Sequence, residues 1–429
     1  MTFSLSVVLL ILAFAVFMAL GVPVSWSLVL TSLVGVLTTA RIPISVLAQR
    51  MFAAGESYPM LAIPAFFLAG DIMCEGGISK RLINMIDAWF GWISGSLSIV
   101  SIASCTLFAA ISGSATATTT AIGSIMIPEM VKRGYPPENA GACQAIGGTL
   151  GPIIPPSITF IFYATATNLS IAKLLISGII PGLVACFFLC VMAYIIAKVK
   201  KFPRGSTFDI KMVLKTTWDG IFALLMPVVV MGGIYIGVFT PTEAAGIAVA
   251  YGIIISLFVY RSINFGQLVA LIKKTAITTS NLLIMVTAAQ LFGWFVAYFN
   301  IAKSVAALII ALSATPLIFW LLVNLTLIIA GMFIDGLATV VILAPILHTV
   351  AVSFGIDPIH FGLVVVFLLC LGNATPPFGP TLFIASGICK QSVVKVARAV
   401  MPFVFVEIAC SLLFSFVPSL STFLPGLMK

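Results

Sequence analysis

The chain has 429 residues, 61% of them hydrophobic and 8% charged, with a mean hydropathy of +1.24. Soluble domains carry about 25% charged residues, so no aqueous fold would cover this much apolar surface. The net charge of +9 is distributed as short Lys/Arg clusters between apolar runs, which excludes a nucleic-acid patch and reads as membrane topology.

In chain order, apolar runs at 3–20, 22–39 and 57–74 are each long enough to span a bilayer as helices. The first basic residue is Arg41, so the opening run lacks the basic start of a cleaved signal peptide. It is expected to be a first span with its N-terminus outside. Next, apolar residues 97–111 run into the polar stretch SGSATATTT, Ser112 to Thr120, and leave through AIGSIMIPEM. Each arm, roughly 11–15 residues, is too short to cross, so 95–133 reads as a re-entrant hairpin. Residues 137–168 read as a helix broken at Gly148–Ser157 (GTLGPIIPPS), followed by a span at 179–197 and a cytoplasmic linker at 201–215.

The same plan then repeats. Spans at 221–239, 243–260 and 276–299 precede a second hairpin, 315–351, around GMFIDG, Gly331 to Gly336. A second broken helix, 357–388, is interrupted at GNATPPFGPT, Gly372 to Thr381, and a last span covers 402–417. Pro23 and Pro241 are 218 apart, Pro128 and Pro345 are 217 apart, and Gly148, Pro152 and Pro156 recur 224 later as Gly372, Pro376 and Pro380. Matched breaks of this kind point to a transporter repeat. The expected fold is an all-α polytopic membrane protein of two repeats, 1–200 and 216–429. Counting each hairpin as no net crossing gives an odd number of crossings per repeat, so the two should be inverted. With the N-terminus outside, only Arg41, Arg50, Lys173, Lys303 and Lys429 of the 21 basic residues fall outside, as the positive-inside rule requires. Short stretches at 43–52, 264–274 and 389–400 are expected to lie along the interface.

Irregular backbone at membrane depth is tolerated only where it lines a cavity or is buried in protein. The two tips and the two breaks are such places. Proline removes an amide donor and frees earlier carbonyls, which suit a hard cation such as Na+, while helix N-termini at the same breaks offer amides to an anion. Taken alone, a Pro pair is also an ordinary kink, and a Ser/Thr/Gly stretch is also a close-packing surface. Asp335, at the second tip without a basic neighbour, reads as a substrate or cation group or as a hairpin cap. Glu243 completes a capping box with Thr240, Glu407 can pair within the bundle, and Asp71 and Glu75 can cap a span. The eight Cys form no CxxC pair and read, with the two His, as structural. HExxH, G-x-S-x-G and Walker A motifs are all missing, which argues against an intramembrane enzyme and against ATP as the direct energy source.

Together, GSATATTTAIGSIMIPEM, GGTLGPIIPPS, GVFTPTEAAG, GMFIDG and GNATPPFGPTLF resemble the large membrane (M) subunit of tripartite ATP-independent periplasmic (TRAP) transporters over essentially the whole chain. The resemblance implies a sodium-driven importer with an elevator mechanism, in a bacterial inner membrane. It implies a soluble periplasmic binding protein that delivers the substrate, and a separate small membrane (Q) subunit of about four helices. Carried over by position, one sodium site would use Ala109, Ser112, Gly151, Ile154 and Pro156, and a second Gly331, Gly372, Thr375 and Phe378. Substrate, a carboxylate of the sialic acid or C4-dicarboxylate class, would lie near Ser112, Ser114, Thr116, Ser157, Asp335 and Thr381. A stand-alone sodium/carboxylate carrier and an ion channel are the competing transport readings.

Overall fold

The computed structural model describes residues 5–38, 42–56, 58–93, 95–203, 208–299, 315–333 and 336–428, and these form helices and turns with no strand. Asp335 and Lys303 lie outside the described residues, as do Arg41, Arg204 and Lys429.

The first half opens with α1 (Leu5–Ala19), α2 (Val24–Thr38), α3 (Ser45–Gly55), α4 (Ala62–Glu75) and α5 (Ile78–Phe90). It continues with α6 (Ser96–Ser112), α7 (Ala115–Lys132), α8 (Pro137–Thr149), α9 (Ile158–Thr167), α10 (Ile171–Ser177) and α11 (Ile179–Val199). The second half comprises α12 (Ile210–Asp219), α13 (Ile221–Tyr235), α14 (Pro241–Ile254, prolonged by a π turn) and α15 (Phe265–Tyr298). It ends with α16 (Pro316–Phe333), α17 (Gly336–Ser353), α18 (Pro358–Gly372), α19 (Pro380–Cys389), α20 (Val393–Phe416) and α21 (Ser419–Gly426).

The starts of these helices follow from local chemistry. Proline opens α8, α14, α18 and α19, where the missing N–H is one the helix could not use anyway. Thr240 and Glu243 form the expected capping box, and Asn264 with Gln267 forms another.

Among the described residues four helical stretches are long and apolar enough to cross a membrane alone: Ile171–Val199, Pro241–Val259, Phe265–Tyr298 and Val393–Phe416. Two more arise if the bent pairs α4/α5 (66°) and α12/α13 (54°) each count as one span. Within the apolar run 57–74 the sequence suggested a longer element: α4 begins only at Ala62, after a 3-10 turn at Tyr58–Leu61. It also separated stretches that are continuous. Residues 265–274 belong to the 34-residue α15, where no Gly or Pro separates the amphipathic from the apolar part, and 393–400 belong to α20, which runs on through Pro402. Helix α11 turns Leu183, Phe187, Val191 and Ile195 outward, an apolar face suited to lipid.

Two groups of helices emerge. Helices α1–α4, α14 and α15 pack on one another, whereas α6–α9 and α16–α20 surround the interrupted regions. Asp71 does not act as a cap; it accepts from Thr275 Oγ1 at 2.7 Å and lies 3.5 Å from Lys274 Nζ, tying α4 to α15. Helix lengths recur at a spacing of 221: Ala115 and Gly336 open α7 and α17, Pro137 and Pro358 open α8 and α18, and the cis peptides Pro155–Pro156 and Pro376–Pro377 keep the same register. The spacing of 224 read from Gly148, Pro152 and Pro156 is therefore three too long. It aligned Pro156 with Pro380, which instead opens α19, the role that Ser157 and Ile158 play for α9.

Buried Gln144 joins three helices of the second group. Ser101 Oγ donates to its Oε1 at 2.8 Å, and its Nε2 donates to Cys105 Sγ at 3.0 Å and to the Thr119 carbonyl at 3.4 Å. A Gln144→Leu variant leaves these groups without a buried partner, a cost of about 1–3 kcal/mol. The expected result is a lower thermal midpoint of the purified protein in detergent; an unchanged midpoint would mean the network contributes nothing.

Candidate transport site at the helix breaks

The first tip is built around Gly113, whose φ of 61° is the left-handed conformation that ends α6. Extended Ser114 then caps α7 by accepting from Ala117 N at 3.4 Å. Ser112 Oγ pairs with Thr118 Oγ1 at 2.8 Å, and Ser114 Oγ with Thr116 Oγ1 at 3.2 Å. The arms, α6 and α7, have 17 and 18 residues, longer than the 11–15 suggested by apolar composition because their polar ends are helical too.

The first break is held against this tip. After α8 ends at Thr149, the chain turns through Leu150–Ser157, and Ile158 N donates to the Gly113 carbonyl at 3.4 Å. Ser157 Oγ donates to the Pro152 carbonyl and accepts from Phe160 N at 3.1 Å, capping α9. The carbonyls of Gly151, Ile154 and Pro156 accept no hydrogen bond among the described residues. Glu407 of α20 is buried and accepts from Thr149 Oγ1, so it does pair within the bundle, next to the break.

The second break follows the same logic. Thr375 N donates to the Gly372 carbonyl at 3.1 Å, Thr375 Oγ1 to the Leu371 carbonyl at 2.7 Å, and both N and Oγ1 of Thr381 donate to the Asn373 carbonyl at 3.1 and 2.7 Å. The ends of α16 and α18 meet backbone to backbone: a Cβ added at Gly372 would lie 2.5 Å from Gly331 Cα.

A small cavity of about 70 Å³ lies where tips and breaks converge. The N-terminal residues of three helices line it: Ala115 and Thr116 of α7, Ile158 and Thr159 of α9, Gly336 and Leu337 of α17. Each helix N-terminus carries roughly half a positive charge from its aligned peptide dipoles, so three together favour an anion. Its described lining contains no Lys, Arg, Asp or Glu.

Of the residues named from sequence, Ser114 and Thr116 line this cavity. Ser112, Ser157 and Thr381 sit behind it, buried and engaged as described, and Asp335 falls outside the described residues. Ala109 and Ile154 touch beside the first tip, and a Cβ at Gly113 or Gly151 would strike the Pro156 or Ser114 carbonyl, so the first group of five is gathered around Gly113 and Ser114. Gly331, Gly372 and Thr375 form the second group, while the Phe378 side chain is 59% exposed. Six lining residues lie outside the tips and breaks read from sequence: Ile158, Thr159, Leu337, Leu369 and Cys370, which flank them, and Phe67, which sits in an ordinary apolar helix with no polar signal.

Helical arms meeting two interrupted helices at a cavity whose described lining carries no charged side chain define a multi-pass membrane permease. The profile of the family described as "Tripartite ATP-independent periplasmic transporter, DctM component" matches residues 11–420, and the chain belongs to this family. It is 37% identical over 415 residues to the isethionate TRAP transporter permease protein DctMQ of Oleidesulfovibrio alaskensis, covering 96% of this chain and 65% of that protein. The C4-dicarboxylate TRAP large permease protein of Pseudomonas aeruginosa is 38% identical over 380 residues, 89% of each chain. The sialic acid TRAP large permease protein SiaM of Vibrio cholerae is 34% identical, covering 95% of each chain. In fold, the chain is similar to the crystal structure of the Alcanivorax borkumensis YdaH transporter, with a TM-score of 0.63, 15% identity and 87% of each chain covered.

Proposed function

We propose that this chain is the large subunit of a sodium-coupled importer that accepts an organic acid from a periplasmic binding protein and carries it across the bacterial inner membrane by an elevator motion. The observation that carries the reading is the cavity faced by three helix N-termini, whose described lining carries no charge, with the carbonyls of Gly151, Ile154 and Pro156 accepting no hydrogen bond among the described residues just behind it. An anion held there without a basic side chain needs a second source of positive charge. Oxygens suited to a hard cation are present: those carbonyls with Ser112 Oγ on one side, and Thr375 Oγ1 with the carbonyls of the second break on the other. Bound sodium would supply charge to the anion. The protein residues would close the tips around it, keep water out, and orient it by the Ser114 and Thr116 hydroxyls.

The 221-residue repeat and the basic residues between spans support inverted halves with the N-terminus outside. In this reading α6–α9 and α16–α20 move against α1–α4, α14 and α15. Relatives named for C4-dicarboxylate, sialic acid and isethionate support a small carboxylate, and extend the class to a sulfonate. The family's description as tripartite supports two partners, a small membrane subunit and a periplasmic binding protein.

The test is uptake of labelled succinate, N-acetylneuraminate and isethionate into proteoliposomes holding this chain with its small subunit, plus binding protein. Uptake of one of them should require an inward sodium gradient. Equal substrate binding by the purified complex with and without sodium would overturn the coupling, and transport by this chain alone would favour a stand-alone carrier.

A further inference from the structure

We propose that a second cavity, between α3, α9, α15 and α17, is an anion-receiving vestibule in which Arg50 selects negatively charged solutes on their way to the helix tips. The inference rests on the importer reading above for its direction, outside to inside, though not for its charge preference.

Size is the first argument. The cavity between the tips, about 70 Å³, is too small for an organic acid, since one water alone occupies about 30 Å³ of liquid. The second cavity measures about 550 Å³, within the range of small-molecule sites, roughly 300–1,000 Å³. Of the two cavities that share α9 and α17, it is the one with room for the solute in the conformation described.

Position is the second. Helix α9 lines the inner cavity with Ile158 and Thr159 and the larger one with Thr165–Asn168. Helix α17 does the same with Gly336 and Leu337, then with Pro345, His348 and Thr349. At 1.5 Å per residue the two cavities are about 10–15 Å apart along both helices. The opposite wall comes from the other helix group, Arg50 of α3 with Gln290 and Trp294 of α15, so the vestibule sits between the parts that would move.

Charge is the third. Arg50 lines the cavity and its described lining holds no Asp or Glu. The guanidinium lies 5.1 Å over the Trp294 ring, which fixes its plane and leaves its N–H edge for a carboxylate or sulfonate. The C-terminal end of α9 would repel an anion, but Gln290 Nε2 donates to the Thr165 carbonyl at 3.0 Å and occupies one of those acceptors. His348 Nδ1 pairs with Tyr163 Oη at 3.3 Å, so the wall between vestibule and tips is polar and ordered.

The experiment uses the full transporter in membranes, with a single added thiol, Thr349→Cys, on the exposed lining. Its rate of modification is compared for the anionic sulfonatoethyl and the cationic trimethylammonioethyl methanethiosulfonates, against the parent lacking that thiol. Removing one unit charge within several ångströms changes this ratio strongly. Arg50→Gln should lower the anionic-to-cationic ratio by at least about tenfold, Arg50→Lys should keep most of it, and excess succinate or isethionate should slow labelling only when residue 50 is basic. A ratio that stays within about twofold in Arg50→Gln overturns the vestibule, even if sodium-driven uptake is intact. A shifted ratio in a transporter that moves none of the probes supports the vestibule and refutes the importer reading instead.

Discussion

Uptake by a Gly372→Ala variant is expected to fall below about a tenth of the parent's. The added Cβ would lie 2.5 Å from both Cα and the carbonyl carbon of Gly331 and 2.6 Å from its oxygen. These are backbone atoms, so no side chain can swing aside and the ends of α16 and α18 must separate. Overpacking of this kind costs about 1–3 kcal/mol. Here the displacement falls on the residues proposed to hold the second cation, so transport should suffer more than stability. Gly387→Ala is the control: it lies in α19, and its Cβ would meet nothing within 4 Å. By helix propensity it should be neutral, or stabilising by up to about 1 kcal/mol. Sodium-driven uptake and the thermal midpoint of both variants, measured side by side, decide the matter. Normal uptake by Gly372→Ala would mean the two helix ends do not need to touch.

The parts of this architecture that were legible in the sequence share a cause. Gly and Pro act locally, so GTLGPIIPPS and GNATPPFGPT announce interrupted helices, and a Ser/Thr run inside an apolar stretch announces a tip. Register was less legible, because Ser157 capping α9 and Pro380 opening α19 do the same job with different residues. Contacts between distant elements left no signal. Thr149 and Glu407 are 258 positions apart and Thr275 and Asp71 are 204 apart, and nothing near either acid identifies its partner. The vestibule is assembled from four helices, and Arg50 reads in sequence as one more basic residue on a short amphipathic stretch. Phe67 lines the inner cavity only because α4 passes beside the first tip, where a Cβ at Gly70 would sit 3.3 Å from Ser112 Cα.

For the proposed second sodium site, two neighbours should behave oppositely. Thr375 is 1% exposed, and its hydroxyl donates to the Leu371 carbonyl, which leaves the oxygen lone pairs for a cation. Phe378 can contribute only through its carbonyl, because its ring is 59% exposed and carries no donor oxygen. Thr375→Val keeps the shape and removes the hydroxyl, so the sodium concentration giving half-maximal uptake should rise about tenfold, equivalent to about 1.4 kcal/mol. Maximal uptake at saturating sodium should persist, since no group that touches the substrate is altered. Phe378→Ala keeps the carbonyl and should stay within about twofold of the parent. The measurement is initial uptake of the transported acid against sodium concentration in proteoliposomes holding the full complex. A larger shift for Phe378→Ala than for Thr375→Val would remove the hydroxyl from the site and place the cation elsewhere in the break.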